Sequence, residues 1–263
     1  MFKLTGEIIK RTRLLRYFFH SLIYSNKYSK KIKQYHRSNE GETVVIVCNG
    51  PSLKLVDLDR IKYKTIGMNK INLIFDQTKW RPDYIISTNG LVINQNKDFF
   101  MKYDKPVFLD FKAKLMNISS KNICYFLSDY KRDFSPSFDK KIGSAGTVTY
   151  SALQLAYFLG FKKIYIIGMD HNYSGHDNKK SLSKIEKFEG EDINHFHPDY
   201  FKGNMWGTPN LFISELGYNY ANDFLMKKKI KVTDATINGK CQILKKGDIN
   251  QIYKNNLNIL NDK

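Results

Sequence analysis

The sequence predicts an α/β fold, a Rossmann-like, mostly parallel sheet flanked by helices, and three observations predict it. Thr43-Val44-Val45-Ile46-Val47-Cys48 is an unbroken, β-branched run of the kind found in a strand buried on both faces. Shorter strand-like runs at 64–68, 84–87, 106–110 and 123–126 follow, each bounded by polar or turn residues. Gly143 to Thr147 then leads into a helical run over 148–159, Gly160 stops it, and Lys162 to Asp170 reads as another buried strand. Loop, helix, stop and strand in that order make most of a parallel βαβ unit.

The elements can be justified in chain order. Over residues 3–24, Leu4, Ile8, Leu15, Phe19, Leu22 and further apolar residues interleave with Lys10, Arg11, Arg13 and Arg16, which predicts a basic amphipathic helix. Such a helix either lies in an anionic membrane interface or packs on the domain behind it. A polar, Lys-rich connector is expected from about Tyr24 to Gly41, so residues 1–41 read as an extension and 42–263 as one domain. After the strand ending at Asp170, residues 171–194 turn polar and charged without a period, as expected of a lid above the strand ends. Apolar order resumes in a helix over 211–225, and Lys231 to Ala235 reads as a last strand.

Composition limits the function classes. The 263 residues carry 43 Lys+Arg against 25 Asp+Glu, a formal charge of +18, which favours anionic partners. Residues 1–40 alone hold ten basic groups and two acidic ones. No recognition signature of an RNA or DNA module accompanies the charge, so nucleic acid is not an expected partner. Cys48, Cys124 and Cys241 are isolated and odd in number, which argues against a disulfide framework or a zinc knuckle. With no apolar run near the ~18 residues of a spanning helix and no cleavable signal, the expected location is the cytoplasm, peripheral to the inner membrane face if the N-terminal helix binds lipid.

In an open parallel sheet the ligand sits beyond the carboxyl ends of the strands. Three polar clusters fall there: Asn49-Gly50-Pro51-Ser52, Asn69, and Ser87-Thr88-Asn89. Short amides and hydroxyls at such positions can bond phosphate, ribose or base edges, and Gly50 allows a close backbone approach. They also make ordinary turns. The loop Gly143-Ser144-Ala145-Gly146-Thr147 opens a helix and can present Ser144, Gly146 and Thr147 to an anion, although it is neither a P-loop nor a dinucleotide fingerprint. Asp170, ending a buried strand, is a better-placed carboxylate than Asp57-Leu58-Asp59, which follows a surface turn. His195 and His197 in Asn194-His195-Phe196-His197-Pro198-Asp199-Tyr200 are the densest candidates for proton transfer, and one of them is read as a general base. His171 and His176 lie in the polar lid and are weaker candidates.

These residues carry a resemblance. A strand followed by Asn49-Gly50-Pro51-Ser52-Leu53, then Asn69, Asn89 and Leu159-Gly160-Phe161-Lys162-Lys163-Ile164-Tyr165-Ile166-Ile167-Gly168-Met169-Asp170, resembles the bacterial sialyltransferases of glycosyltransferase family 42. It also resembles a wider group containing archaeal 6-hydroxymethylpterin diphosphokinases and flagellin-modifying accessory proteins. The resemblance spans about residues 43–240. It implies that Asn49, Gly50, Ser52, Asn69 and Asn89 hold a CMP donor, with Gly146 and Thr147 beside it. It implies no bound metal or other cofactor, a histidine base, His195 ahead of His197, and Tyr173 as an approximate counterpart of a tyrosine that assists the leaving phosphate. The arginine that the resemblance leads one to expect before the small-residue loop is absent, Lys140 and Lys141 being nearest, so sialic acid, or another nonulosonic acid, is not specified.

The expectation is therefore a metal-independent transferase moving a sugar from a CMP-activated donor to a surface-glycan or lipid-linked acceptor, with a homo-oligomer allowed. Two alternatives stand beside it: an ATP-dependent 6-hydroxymethylpterin diphosphokinase-like enzyme, which should need Mg²⁺ and carboxylates near the phosphates, and a non-catalytic basic module that binds RNA or membrane.

Overall fold

The computed structural model describes residues 24, 26–129, 131–173 and 185–254. The expected N-terminal amphipathic helix, His176 and most of the expected lid lie outside the described residues.

Seven parallel strands form one sheet in the order β5-β4-β3-β2-β1-β6-β9. They are β1 Thr43–Val47, β2 Lys64–Met68, β3 Tyr84–Ser87, β4 Val107–Asp110, β5 Ile123–Phe126, β6 Lys163–Ile167 and β9 Lys231–Asp234. In β1, Val44 and Ile46 join one core cluster and Val45 and Val47 the other, so successive side chains are buried on opposite faces of the sheet. That double burial is why the strands read as continuous apolar runs. The chain builds outward from β1 to β5, then returns to place β6 on the free edge of β1. The resulting reversal between β1 and β6 is a topological switch point, where an open parallel sheet leaves a crevice.

The helices follow the sequence signals closely. In Val148–Leu159 (α5), Thr147 caps the start by accepting the Thr149 N–H, and Gly160 closes the end at a left-handed φ of 96°. Ten of its twelve residues are buried, so it is a core helix rather than an amphipathic surface one. Leu211–Lys227 (α6), capped by Asn210, packs on α5 and β9. Shorter helices, Gly90–Gln95 (α2), Lys97–Lys102 (α3) and Lys112–Leu115 (α4), fill the connections between β3, β4 and β5.

Two stretches depart from expectation. The connector expected over 24–41 contains a helix, Asn26–Lys33 (α1), that packs on β5 with Ile32 wholly buried in the core. The chain after it is tied down by backbone bonds from Arg37 to Phe158 and from Asn39 to Leu159. A side chain at Gly160 would meet the Arg37 Cα at 3.1 Å, so this stretch is seated on the end of α5 and is no loose linker. The end of the expected lid is also ordered: Ile185–Lys187 (β7) pairs antiparallel with Met205–Gly207 (β8), and Asp192 and Asn194 are buried. Among the described residues no helix is long and apolar enough to cross a membrane.

Candidate active site

The crevice beyond β1 and β6 opens into a cleft with about 680 Å³ of open space. A second lobe, with about 750 Å³, runs toward α2 and the β7–β8 hairpin. Asn69, Gly146, Thr147, Tyr173 and His195 line both.

The turn after β1 positions Asn49. Its amide nitrogen donates to the Met68 carbonyl at 3.1 Å, which fixes which end of the amide is oxygen. That oxygen, Oδ1, is buried and has no hydrogen-bond partner among the described residues, on a residue that lines the cleft. An orphaned buried acceptor costs about 1–3 kcal/mol unless a donor reaches it, so this atom asks for a ligand N–H or O–H. Asn69 sits at a left-handed φ of 53° and accepts the Ser87 hydroxyl at 2.9 Å, which aims its side chain over the end of β3. Asn89 caps α2 through the Leu91 N–H and lines the second lobe.

Ser52, Gly50 and Asp170 are tied closely to one another, and Gly50 and Asp170 line the first lobe. Asp170 accepts the Ser52 hydroxyl at 2.7 Å and the Ser52 N–H at 3.0 Å, one on each carboxylate oxygen. Burial raises the Asp170 pKa and the two Ser52 bonds oppose the rise. A side chain at Gly50 would lie 2.0 Å from that carboxylate. The close approach that requires glycine is therefore Asp170 against the turn. The three residues clamp the β1 and β6 loops together.

At the start of α5, Gly146 adopts φ 69° and the Thr147 hydroxyl lies 3.4 Å from the Tyr218 hydroxyl. Both line the cleft at the positive end of the helix dipole. Ser144 is exposed, bonds the Lys131 carbonyl through its N–H, and lines neither lobe.

His195 is the best-prepared proton carrier. Its Nδ1 lies 2.8 Å from Asp192 Oδ2, and Asp192 is held in turn by the Asn194 N–H on Oδ1 at 2.9 Å. The imidazole stacks flat on Tyr200, centroids 4.1 Å apart, with the Phe201 ring against it edge-on. The Phe196 N–H bonds the Asn49 carbonyl, docking this segment on the end of β1. With Asp192 accepting at Nδ1, the neutral ring keeps its proton there and carries its lone pair on Nε2. His197 lines neither lobe and accepts the Asp199 N–H at 3.1 Å, a local turn contact. Asp192 escaped the sequence reading because it ends the acidic stretch Glu189-Gly190-Glu191-Asp192, which looks like solvated loop.

Tyr173 reaches both lobes, with its ring centroid 6.4 Å from that of His195. Burial pushes its hydroxyl up to about 12, so it stays a protonated donor at neutral pH. His171, also underrated by the sequence, lines the first lobe, and its Nε2 lies 3.0 Å from Glu215 Oε1 on α6. The acidic pair Asp57 and Asp59 lies away from both lobes, and Asp59 accepts the Lys79 N–H. No group of three or more His, Cys, Asp or Glu suited to a metal ion occurs among the described residues.

Among solved structures, the MAf glycosyltransferase from Magnetospirillum magneticum AMB-1 is similar over 86% of this chain and 38% of its own, at 13% identity and a TM-score of 0.51. The chain thus spans well under half of that protein, and the likeness speaks for the fold. The sialyltransferase CstII from Campylobacter jejuni, solved with cytidine-5'-monophosphate, matches over 82% of this chain and 88% of its own at 16% identity and a TM-score of 0.44. Its complex with CMP-3FNeuAc matches at 15% identity and 0.43, over 82% and 92% of the two chains. No curated protein matches the chain. The sequence does match the family described as 6-hydroxymethylpterin diphosphokinase MptE-like over residues 18–176, more than half its length, and the chain belongs to that family.

Proposed function

We propose that this chain is a glycosyltransferase that moves a sugar from a CMP-activated donor to a glycan or glycolipid acceptor, without a metal, using His195 as general base. The observation that carries the reading is the Asp192–His195 pair at the junction of the two lobes. A nucleotide bound over the β1–β6 crevice fills the first lobe, where the unpaired Asn49 Oδ1 takes a donor from the base or ribose. The second lobe, lined by Asn89, Phe201, Trp206 and Thr208, receives sugar. His195, common to both, then sits where the two substrates meet.

In this reading His195 Nε2 removes the acceptor hydroxyl proton as the oxygen attacks the anomeric carbon, opposite the departing phosphate, and configuration inverts. Asp192 stabilises the imidazolium that forms and holds the productive tautomer. The Tyr173 hydroxyl and the N-terminus of α5 supply donors to the phosphate as charge develops on it. The basic residues of the first forty positions fit a lipid-linked acceptor at the cytoplasmic membrane face.

The diphosphokinase alternative calls for carboxylates that hold Mg²⁺ at the nucleotide phosphates. Asp170 is the carboxylate on the cleft at the strand ends, and both its oxygens are engaged by Ser52. That favours the transferase.

Steady-state kinetics with CMP-activated sugars test the role of His195. His195→Ala should lower kcat by roughly 10²–10⁴-fold, the usual worth of a general base, with CMP affinity unchanged. Asp192→Asn should lower kcat by a smaller factor. Unimpaired turnover in His195→Ala would overturn the assignment.

A further inference from the structure

The first lobe contains a second imidazole–carboxylate pair. His171 Nε2 lies 3.0 Å from Glu215 Oε1, the ring packs 5.8 Å from Tyr218, and the side chain is only 6% exposed. Its backbone takes a left-handed φ of 54° three residues after the tight turn at Gly168, φ 69°. Local strain of this kind persists where surrounding contacts hold a side chain in place. Nδ1 has no hydrogen-bond partner among the described residues, and the residue lines the cleft. The titratable groups around it are Glu215 and Tyr218 from α6, Asp170 and Tyr173 from its own segment, and Cys48 and His195 elsewhere on the same lobe, and each Asp170 oxygen accepts from Ser52.

The two imidazoles are not equivalent in position. His195 lines both lobes, whereas His171 lines only the first, together with Asn49, Gly146 and Thr147. A group confined to the nucleotide lobe cannot serve an acceptor that enters from the other, but it can meet the phosphate between nucleotide and sugar. With Glu215 accepting at Nε2, the neutral ring offers the cleft only a lone pair at Nδ1; a ring that takes up a proton as the phosphate enters keeps Glu215 at Nε2 and turns an Nδ1–H donor to the cleft, and gives that proton up when the phosphate leaves.

Resting on the nucleotide-sugar reading above, we propose that His171, oriented by Glu215, is a second catalytic residue that binds the departing phosphate of the nucleoside monophosphate. The acceptor oxygen bonds to the anomeric carbon and its proton passes to His195 Nε2. The bond from the anomeric carbon to the phosphate oxygen breaks, and its electron pair stays on that oxygen. His171 Nδ1–H donates a hydrogen bond to the phosphate as this charge appears. His195 later releases its proton to water, and His171 ends the cycle as it began.

Calorimetric titration of the full chain with CMP and with cytidine reads this contact, since the two ligands differ by the phosphate alone. Wild type should bind CMP more tightly than cytidine. His171→Gln should shrink that advantage by about tenfold or more, the worth of a hydrogen bond to a charged group, and leave cytidine affinity unchanged. Glu215→Gln, at a position 42% exposed where the fold tolerates change, should shrink it by a smaller factor. An undiminished CMP advantage in both variants overturns the role of His171 and leaves the nucleotide reading standing. Absence of any CMP advantage in wild type overturns that reading and this inference with it.

Discussion

At Lys70 an ammonium group is almost wholly withdrawn from water, 5% exposed, with its Nζ donating to the Tyr200 carbonyl at 2.6 Å and lying 5.0 Å over the Phe201 ring. Burial lowers its pKa to about 8, and Asp192 opposes the shift. An unfolded lysine titrates near 10.5, so between pH 8 and 10.5 the unfolded chain binds more protons than the native one. Stability from this group therefore rises with pH across that window and is lowest, and constant, below it. Denaturant titrations of wild type and Lys70→Met should show their difference in unfolding free energy moving in favour of wild type from pH 8 to 9.5. Taking the difference cancels the buried thiols and tyrosines, whose raised values act in the opposite direction at alkaline pH. A flat difference would mean that Lys70 titrates as a solvated side chain. At this scale the sequence was partly legible. Asn49, Asn69 and Asn89 stood out because short polar residues just after apolar runs mark strand ends, and His195 because it and His197 put two imidazoles two residues apart. The partners did not, because Ser52 and Asp170 are 118 residues apart and His171 and Glu215 are 44 apart, and nothing local marks either pair.

At the level of elements, α1 shows what a composition-based reading misses. Its sequence, Asn-Lys-Tyr-Ser-Lys-Lys-Ile-Lys, presents lysines to solvent and commits only Ile32 fully to the core, so its inward face is too sparse to register as a period. Tyr28 supplements that face by packing edge-on against Tyr125, and just past the helix Tyr35 packs edge-on against Phe108. Ile32→Ala should therefore cost about 2–5 kcal/mol, as other large-to-small core changes do, and lower Tm visibly in a thermal melt. A loss within the ~0.5 kcal/mol of an ordinary surface change would show that α1 is peripheral to the core. The β7–β8 pair escaped for a different reason: three residues per strand are too few for alternation to show, and all of β7 is exposed. By contrast α5 was legible to within a residue because its cap, Thr147, and its stop, Gly160, bracket a run whose apolar residues, Val148, Ala152, Leu155, Ala156 and Leu159, recur at helical spacing.

For the whole molecule, the parallel sheet follows from strands buried on both faces, and the site follows from the sheet. Chain order places β6 beside β1, the reversal opens a crevice, and the loops after β1 and β6 are locked across it by Asp170 and Ser52. Into that crevice face one unpaired amide oxygen, the N-terminus of α5 and two imidazoles each backed by a carboxylate. The central claim is that a cytidine nucleotide occupies it. The most direct test is a thermal-shift panel of CMP, CDP, UDP, GDP and ATP, each with and without Mg²⁺. A ligand at 100 times its Kd stabilises the native state by about 2.7 kcal/mol, which at roughly 2–4 °C per kcal/mol for a domain of this size is a shift of several degrees. The account predicts such a shift with CMP or CDP, undiminished without metal; stabilisation by ATP alone and only with Mg²⁺ would contradict it.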